Sequence, residues 1–179
     1  ALNNGNTTSA LASLMAATSA DPTNAEAWSQ LGYVHALRGD ADQGIAEMWK
    51  AVGLAPREWW SYRELADMLA YLHRYPEELQ ALQQALTIAP NDPAITWRSA
   101  QALLQMQRPA EAIAQLLPAV ERLPMDARLA LMLGRAYIRQ GDEEKAIGAF
   151  QKVLAVSSTS ANLNSVAREL ADSNIRLDD

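Results

Sequence analysis

Large apolar and small residues recur along this chain at one fixed spacing, 34 residues. Trp28, Tyr62, Thr96 and Ala130 form one column, and Leu31, Leu65, Ser99 and Leu133 form a second. Gly32, Ala66, Ala100 and Gly134 make a column of small residues, followed by His35, Leu69, Leu103 and Tyr137. Later in each unit come Met48, Leu82, Leu116 and Phe150, then Ala51, Ala85, Ala119 and Val153. Pro56, Pro90 and Pro124 close three units, and Ser158 holds that slot in the fourth. Seven columns keep register across four units without a gap, so the chain reads as an array of one repeated supersecondary unit.

Each unit reads as two antiparallel helices joined by a short turn. The predicted pairs are 25–38 with 41–55, 59–72 with 76–89, 93–106 with 109–122, and 127–140 with 143–156. Gly39-Asp40 and Gly141-Asp142 separate the helices of the first and last units. Pro76 and Pro109 stand in the first turn of their helices, where a missing N–H costs nothing. Asp42, Glu77, Glu78, Glu111, Glu143 and Glu144 cluster at the same starts and complement the positive end of the helix dipole. Pro118 falls inside a second helix, which predicts a lost hydrogen bond and a bend. Proline after each second helix stops it and turns the chain into the next unit. One helix pair cannot bury its apolar face alone, but stacked neighbours bury a continuous core.

Counting the columns backward, Ala10, Leu14, Ala17 and Pro22 match second-helix slots, so 8–19 reads as a second helix without its first. Counting forward, 161–173 matches a first helix whose outer face carries Asn162, Asn164, Arg168 and Glu169, a polar cap. Asp178-Asp179 would open a second helix. The expected organisation is therefore 1–24 as the second helix of a truncated leading repeat, four repeats at 25–58, 59–92, 93–126 and 127–160, and 161–179 as a capping helix or truncated repeat. An array that begins and ends in mid-repeat reads as a piece of a longer protein.

Composition agrees with helix: Ala and Leu are abundant and strand-favouring residues sparse. The chain has 179 residues, 49% of them hydrophobic, enough for one packed domain of ordinary size. A net charge of −6 gives no large basic surface, which argues against nucleic acid. There is no cysteine, hence no disulfide framework, thiolate metal site or Cys nucleophile. No apolar run is long enough to insert in a membrane. The compartment stays unknown; a soluble protein of either the cytoplasm or the periplasm fits.

These residues resemble the tetratricopeptide repeat (TPR) family, whose pattern is W-x2-L-G-x2-Y, then A-x3-F, then P. The first unit reads Trp28, Leu31, Gly32, His35, then Gly44, Met48 and Pro56; the fourth reads Leu133, Gly134, Tyr137, Ala146 and Phe150. Ser99 in place of a large apolar residue and Glu78 in place of a small one depart from the pattern, and looser packing is expected at the first helix of the third unit. The resemblance implies an all-α fold, a right-handed α-solenoid of stacked antiparallel helix pairs, with the eighth slot small so that the two helices approach closely. It also implies that the first helices line a concave groove, with slots two, five, nine, twelve and thirteen facing a ligand. Those slots supply Tyr33, Trp60, Arg63, Asp67, Tyr71, Trp97, Gln101, Gln105, Arg128, Leu131, Arg135 and Arg139. Arginine and aromatic side chains combine planar hydrogen bonding with large contact area. The expected ligand is a protein or peptide segment, extended or helical, carrying acidic groups or a C-terminal carboxylate. The alternative is that the arginines pair with neighbouring acids on a solvated face. The Lys and Asn carboxylate clamp of chaperone-binding TPR proteins is not matched, since Ser29, Tyr33, Arg63 and Asp67 hold its slots.

Among the other aromatic residues, Trp28 is expected in the core. Of the adjacent Trp59 and Trp60, one is expected against the preceding unit and the other in the groove. Trp49 is expected on the convex side, either exposed as a second contact surface or half-buried. His35 and His73 are the only histidines, one in a core slot and one in a turn, with no metal-ligand spacing. No phosphate-binding glycine loop or nucleophile elbow occurs. No catalytic, cofactor or metal residue is assigned, and the chain is not expected to be an enzyme. The leading function is a protein–protein interaction scaffold. The alternatives are an architectural module that self-associates head to tail, or a docking arm of a larger multidomain enzyme.

Overall fold

The computed structural model describes residues 4–156 and 159–173, without the side chains of residues 4–6. Ser158 and Asp178-Asp179 lie outside the described residues. The elements are α1 (Asn4–Ala20), α2 (Ala25–Arg38), α3 (Ala41–Leu54), α4 (Trp59–Tyr71), α5 (Tyr75–Ile88), α6 (Pro93–Gln105), α7 (Pro109–Arg122), α8 (Ala127–Gln140), α9 (Glu143–Val156) and α10 (Ser160–Ser173). The described residues contain no strand. Every helix lies within one residue of its predicted bounds except α1, which starts four residues early, in a polar stretch that carries no apolar period.

Two units divide the chain, one holding α1–α5 (1–90) and the other α6–α10 (91–179). In the first, α2 packs on α3 and α4 on α5, with α1 against α2 and α4 against both α2 and α3. In the second, α6 pairs with α7 and α8 with α9, while α8 also touches α6, α7 and α10. Successive first helices are therefore neighbours within each unit, and α10 takes the place of one. The columns become the core: Leu31, Met48, Leu65, Leu69 and Leu82 in the first unit, Leu103, Leu116, Leu133, Phe150 and Val153 in the second.

Close approach of paired helices is set by the small column. A Cβ on Gly32 would stand 2.4 Å from the Gly44 carbonyl oxygen, and one on Gly134 would stand 2.3 Å from the Phe150 ring. The turn inside each pair is one motif four times over. Gly39, His73, Gln107 and Gly141 all have left-handed φ, at 104°, 58°, 57° and 83°. In each turn that residue's N–H bonds three residues back and the next N–H bonds five back, as in Asp40 to His35 and Arg108 to Leu103. This is the Schellman closure, which satisfies carbonyls left open at a helix end. First helices are capped in a further column that pattern reading overlooked: Asn24, Asp92 and Asp126 accept backbone N–H bonds in the next turn, while Glu58 does not.

Some expectations need correction. Ala17 is exposed and Thr18 buried instead, because α1 packs on α2, the helix that follows it, and slot twenty-eight faces that neighbour. Trp28 is half-buried rather than core: its indole N–H donates to the Pro22 carbonyl at 3.0 Å and Lys50 Nζ lies 3.4 Å from the ring centroid. The looser packing expected at the third unit is in keeping with α6 and α7 being the least closely associated of the four hairpin pairs; Ser99 is fully buried there and its hydroxyl has no partner among the described residues, which adds the cost of an unsatisfied polar group. Pro118 lies inside α7 as expected, and Pro118 and Ala114, whose carbonyl loses its N–H partner, are both on the exposed face.

Candidate functional site

The predicted groove residues fall into local groups. In the second unit, Gln101, Gln105, Arg135 and Arg139 share one hollow of about 270 Å³ between α6, α8 and α10, walled also by Glu169 and Asp172. The period explains the grouping: Gln101 and Arg135 are the ninth slots of adjacent first helices, and Gln105 and Arg139 the thirteenth. In the first unit, Tyr33 and Asp67 line a hollow of about 210 Å³ with Ser29, Gln30, Met48 and Glu64. Tyr33 is 51% exposed, and Ser29 Oγ donates to Glu64 Oε2 at 3.0 Å across the gap between α2 and α4.

The remaining predicted residues stand outside these hollows. Arg63 lies over the Trp59 ring, 5.3 Å from its centroid, and Trp60 donates its indole N–H to Glu58. Trp59 and Trp60 are both half-buried, so neither is a core residue. Tyr71 is exposed, while Trp97 and Leu131 are half-buried. Trp49 is half-buried as well. Arg128 sits at the edge of a shallow depression beside Pro124 and Met125.

Charge in this surface is more balanced than the slots alone suggest. Arg135 Nε and Nη2 both reach Glu169 Oε1 at 2.7 Å. Arg128 pairs with Asp126 at 3.1 Å. Burial pushes the Asp126 carboxyl up, but hydrogen bonds from the Arg128 side chain and from the Leu129 and Arg128 N–H groups outweigh it and hold the group below its usual range. Arg139 is exposed and has no ion pair among the described residues. The slot rule missed Glu169 and Asp172 because α10 lies beyond the four full units whose slots were mapped; Glu169, expected on the outer polar face of that helix, is turned inward against Arg135 instead, since it holds the ninth slot that faces α8.

Each histidine has a side-chain partner. Buried His35 bonds Glu47 Oε2 through Nδ1 at 2.6 Å, and His73 bonds the Tyr75 hydroxyl at 2.8 Å. The described residues hold no His, Cys, Asp and Glu cluster suited to a metal. None of the described helices is long and apolar enough to cross a membrane.

This is an all-α repeat protein built from helical hairpins. The sequence model of the tetratricopeptide repeat matches residues 1–58 and 98–161, and the chain belongs to that family. Among solved structures it is similar to MamA, with a TM-score of 0.70 and 21% identity over 92% of this chain and 93% of the other. It is similar to YrrB, a TPR protein with an unusual peptide-binding site, with a TM-score of 0.63 and 16% identity over 91% of this chain and 84% of the other. The PilF protein of Pseudomonas aeruginosa gives 0.64 and 22% over 94% and 78%. No curated protein matches the chain in sequence. Repeats of this family present extended surfaces that generally serve protein–protein interaction.

Proposed function

We propose that this chain is a scaffold that holds a segment of a partner polypeptide against the faces of its first helices. The observation that carries the reading is the hollow between α6, α8 and α10, where Gln101, Gln105 and Arg139 stand together. Side-chain amides offer both donor and acceptor, which suits a peptide backbone. Exposed Arg139 suits a carboxylate, either an acidic side chain or a chain terminus. Arg135, already held by Glu169, contributes less charge to a ligand than its slot implies. Tyr33 and Asp67 offer a second point of attachment in the first unit. Peptide binding by YrrB on the same fold supports the reading.

The test is selection of random short peptides from a display library against the intact chain. Selected peptides should be enriched in acidic residues or bind through a free C-terminus, and Arg139→Glu should weaken them about tenfold, the scale of one good contact. Peptides that bind equally well to a Gln101→Ala/Arg139→Glu double variant would remove the idea.

A further inference from the structure

The chain covers the fourth slot of one repeat with an aromatic ring and a lysine, and has a recess beside the same slot of another. In the first repeat the fourth slot is Trp28, and Lys50, 22 residues later, holds its ammonium 3.4 Å from the centre of the indole ring. The second repeat has a large Tyr62 in that slot, and Trp49 precedes it on α3. The fourth repeat keeps the lysine, Lys152, again 22 residues on, but its fourth slot is Ala130. A hollow of about 240 Å³ opens there between α7, α8 and α9. Leu117, Val120, Ala130, Leu133 and Tyr137 line it. Val120, Ala130, Leu133 and Tyr137 are each at most 8% exposed and form a closed apolar floor, while Leu117, Lys145 and Lys152 are exposed around it. Gly148 lines another wall, and a Cβ built on it would meet nothing within 4 Å. Leu117, where α3 has Trp49, is 38% exposed.

Two lysines stand at this hollow. Lys145 Nζ lies 5.7 Å from the Tyr137 ring centroid and pairs with Asp142 at 2.6 Å. Lys152 is exposed and has no ion pair among the described residues. The fourth repeat thus keeps the lysine of the first without its aromatic ring, and Lys145 and Lys152 are both among the lining residues of a recess with an apolar floor. We propose that this hollow receives one aromatic side chain of a partner polypeptide, flanked by acidic residues. Ligand pockets for whole small molecules start at about 300 Å³, so the volume suits a single side chain. The apolar floor selects a ring over a polar group, Lys152 lies against its face as Lys50 lies against Trp28, and a neighbouring carboxylate meets Lys152, since Lys145 is already held by Asp142. The site shares α8 with the first-helix hollow but uses other residues of it, Ala130, Leu133 and Tyr137 instead of Met132, Arg135, Ile138 and Arg139, and stands or falls independently of the reading above.

The experiment is an amide-resolved NMR titration of the full chain with acetyl-Glu-Trp-Asp-amide. Acetyl-Glu-Leu-Asp-amide and acetyl-Lys-Trp-Lys-amide are the comparison probes. Expected are saturable shifts at Leu117, Tyr137, Gly148 and Lys152, with each comparison probe weaker by about tenfold. Ala130→Trp supplies the ring in cis, as the first repeat does, and should abolish the shifts. Should that variant not fold, Lys152→Glu, at an exposed position, should weaken the tryptophan peptide by about tenfold. The proposal is overturned if the cleft amides do not shift, if the leucine probe binds equally, or if Lys152→Glu changes nothing. Shifts at the same amides that grow with protein concentration alone would overturn it in favour of a second copy of the chain.

Discussion

Gly32 and Gly44 face each other across the α2–α3 pair so closely that a Cβ on either would stand 2.4 Å from the other's carbonyl oxygen. Each glycine makes room for the other's backbone, and the obstacle is not a side chain that can swing away. Alanine gains about 1 kcal/mol in helix propensity over glycine, but here that gain cannot offset the forced separation of two helices. Gly32→Ala and Gly44→Ala should each lower stability by about 1–3 kcal/mol, the range for overpacking, measured as a fall in the denaturant midpoint. Gly53→Ala is the control, because a Cβ there meets nothing within 4 Å. A Gly32→Ala protein as stable as the parent would mean that the helices are not in this contact.

The repeated left-handed turn yields a prediction of opposite sign. Gln107 has φ 57° at the position where the first and fourth repeats have glycine. An L side chain in this region costs about 1–2 kcal/mol, and glycine returns part of that in added freedom of the unfolded chain. Gln107→Gly should therefore raise stability by about 0.5–1 kcal/mol, seen as a higher melting temperature. Gly141→Ala should lower it through the same geometry. His73→Gly should gain less than Gln107→Gly, because it also loses the bond to the Tyr75 hydroxyl.

Asp126 gives a pH dependence with a definite sign. Its carboxyl caps α8 and is held below its usual value in the folded chain. A depressed acid stabilises the fold above the unfolded value, about pH 4, and that contribution is lost as pH falls through the lower folded value. Asp126→Asn keeps a capping oxygen but no charge. The melting temperature of the parent should fall more steeply than that of the variant as the pH is lowered from about 5 to about 3. Parallel curves would show that the charge contributes nothing. Asp126→Ala should cost about 1 kcal/mol at neutral pH by removing the cap itself.

Most of the fold was legible because one column determines one contact. Small residues at slot eight predicted close helices, and the glycine geometry shows why. Proline and acidic residues at second-helix starts located those helices to within a residue. What escaped was of two kinds. His73 and Gln107 carry no sign of a left-handed conformation, since the turn imposes it on whatever residue stands there. Thr18 replaces Ala17 in the core because the face a helix buries depends on which neighbour it has. The surface was less legible than the core for a related reason. Slots fix which residues share a face, as for Gln101, Gln105, Arg135 and Arg139, but not whether an acid such as Glu169 reaches across from the next helix. The recess beside Ala130 escaped the column altogether, because it takes the residues of α7 and α9 to form its other walls.

If the hollow binds a partner as proposed, the contact between Arg135 and Glu169 ties that binding to the integrity of the helix that supplies Glu169. Few other anchors hold α10, chiefly buried Val166 and Leu170. An acidic guest that captures Arg135 evicts the carboxylate that fastens α10, so the scaffold must loosen one of its own seams to tighten on such a guest. A guest satisfied by Arg139 and the two glutamines leaves that seam intact. On the proposed function, the hollow would grade its visitors by where they place their charge.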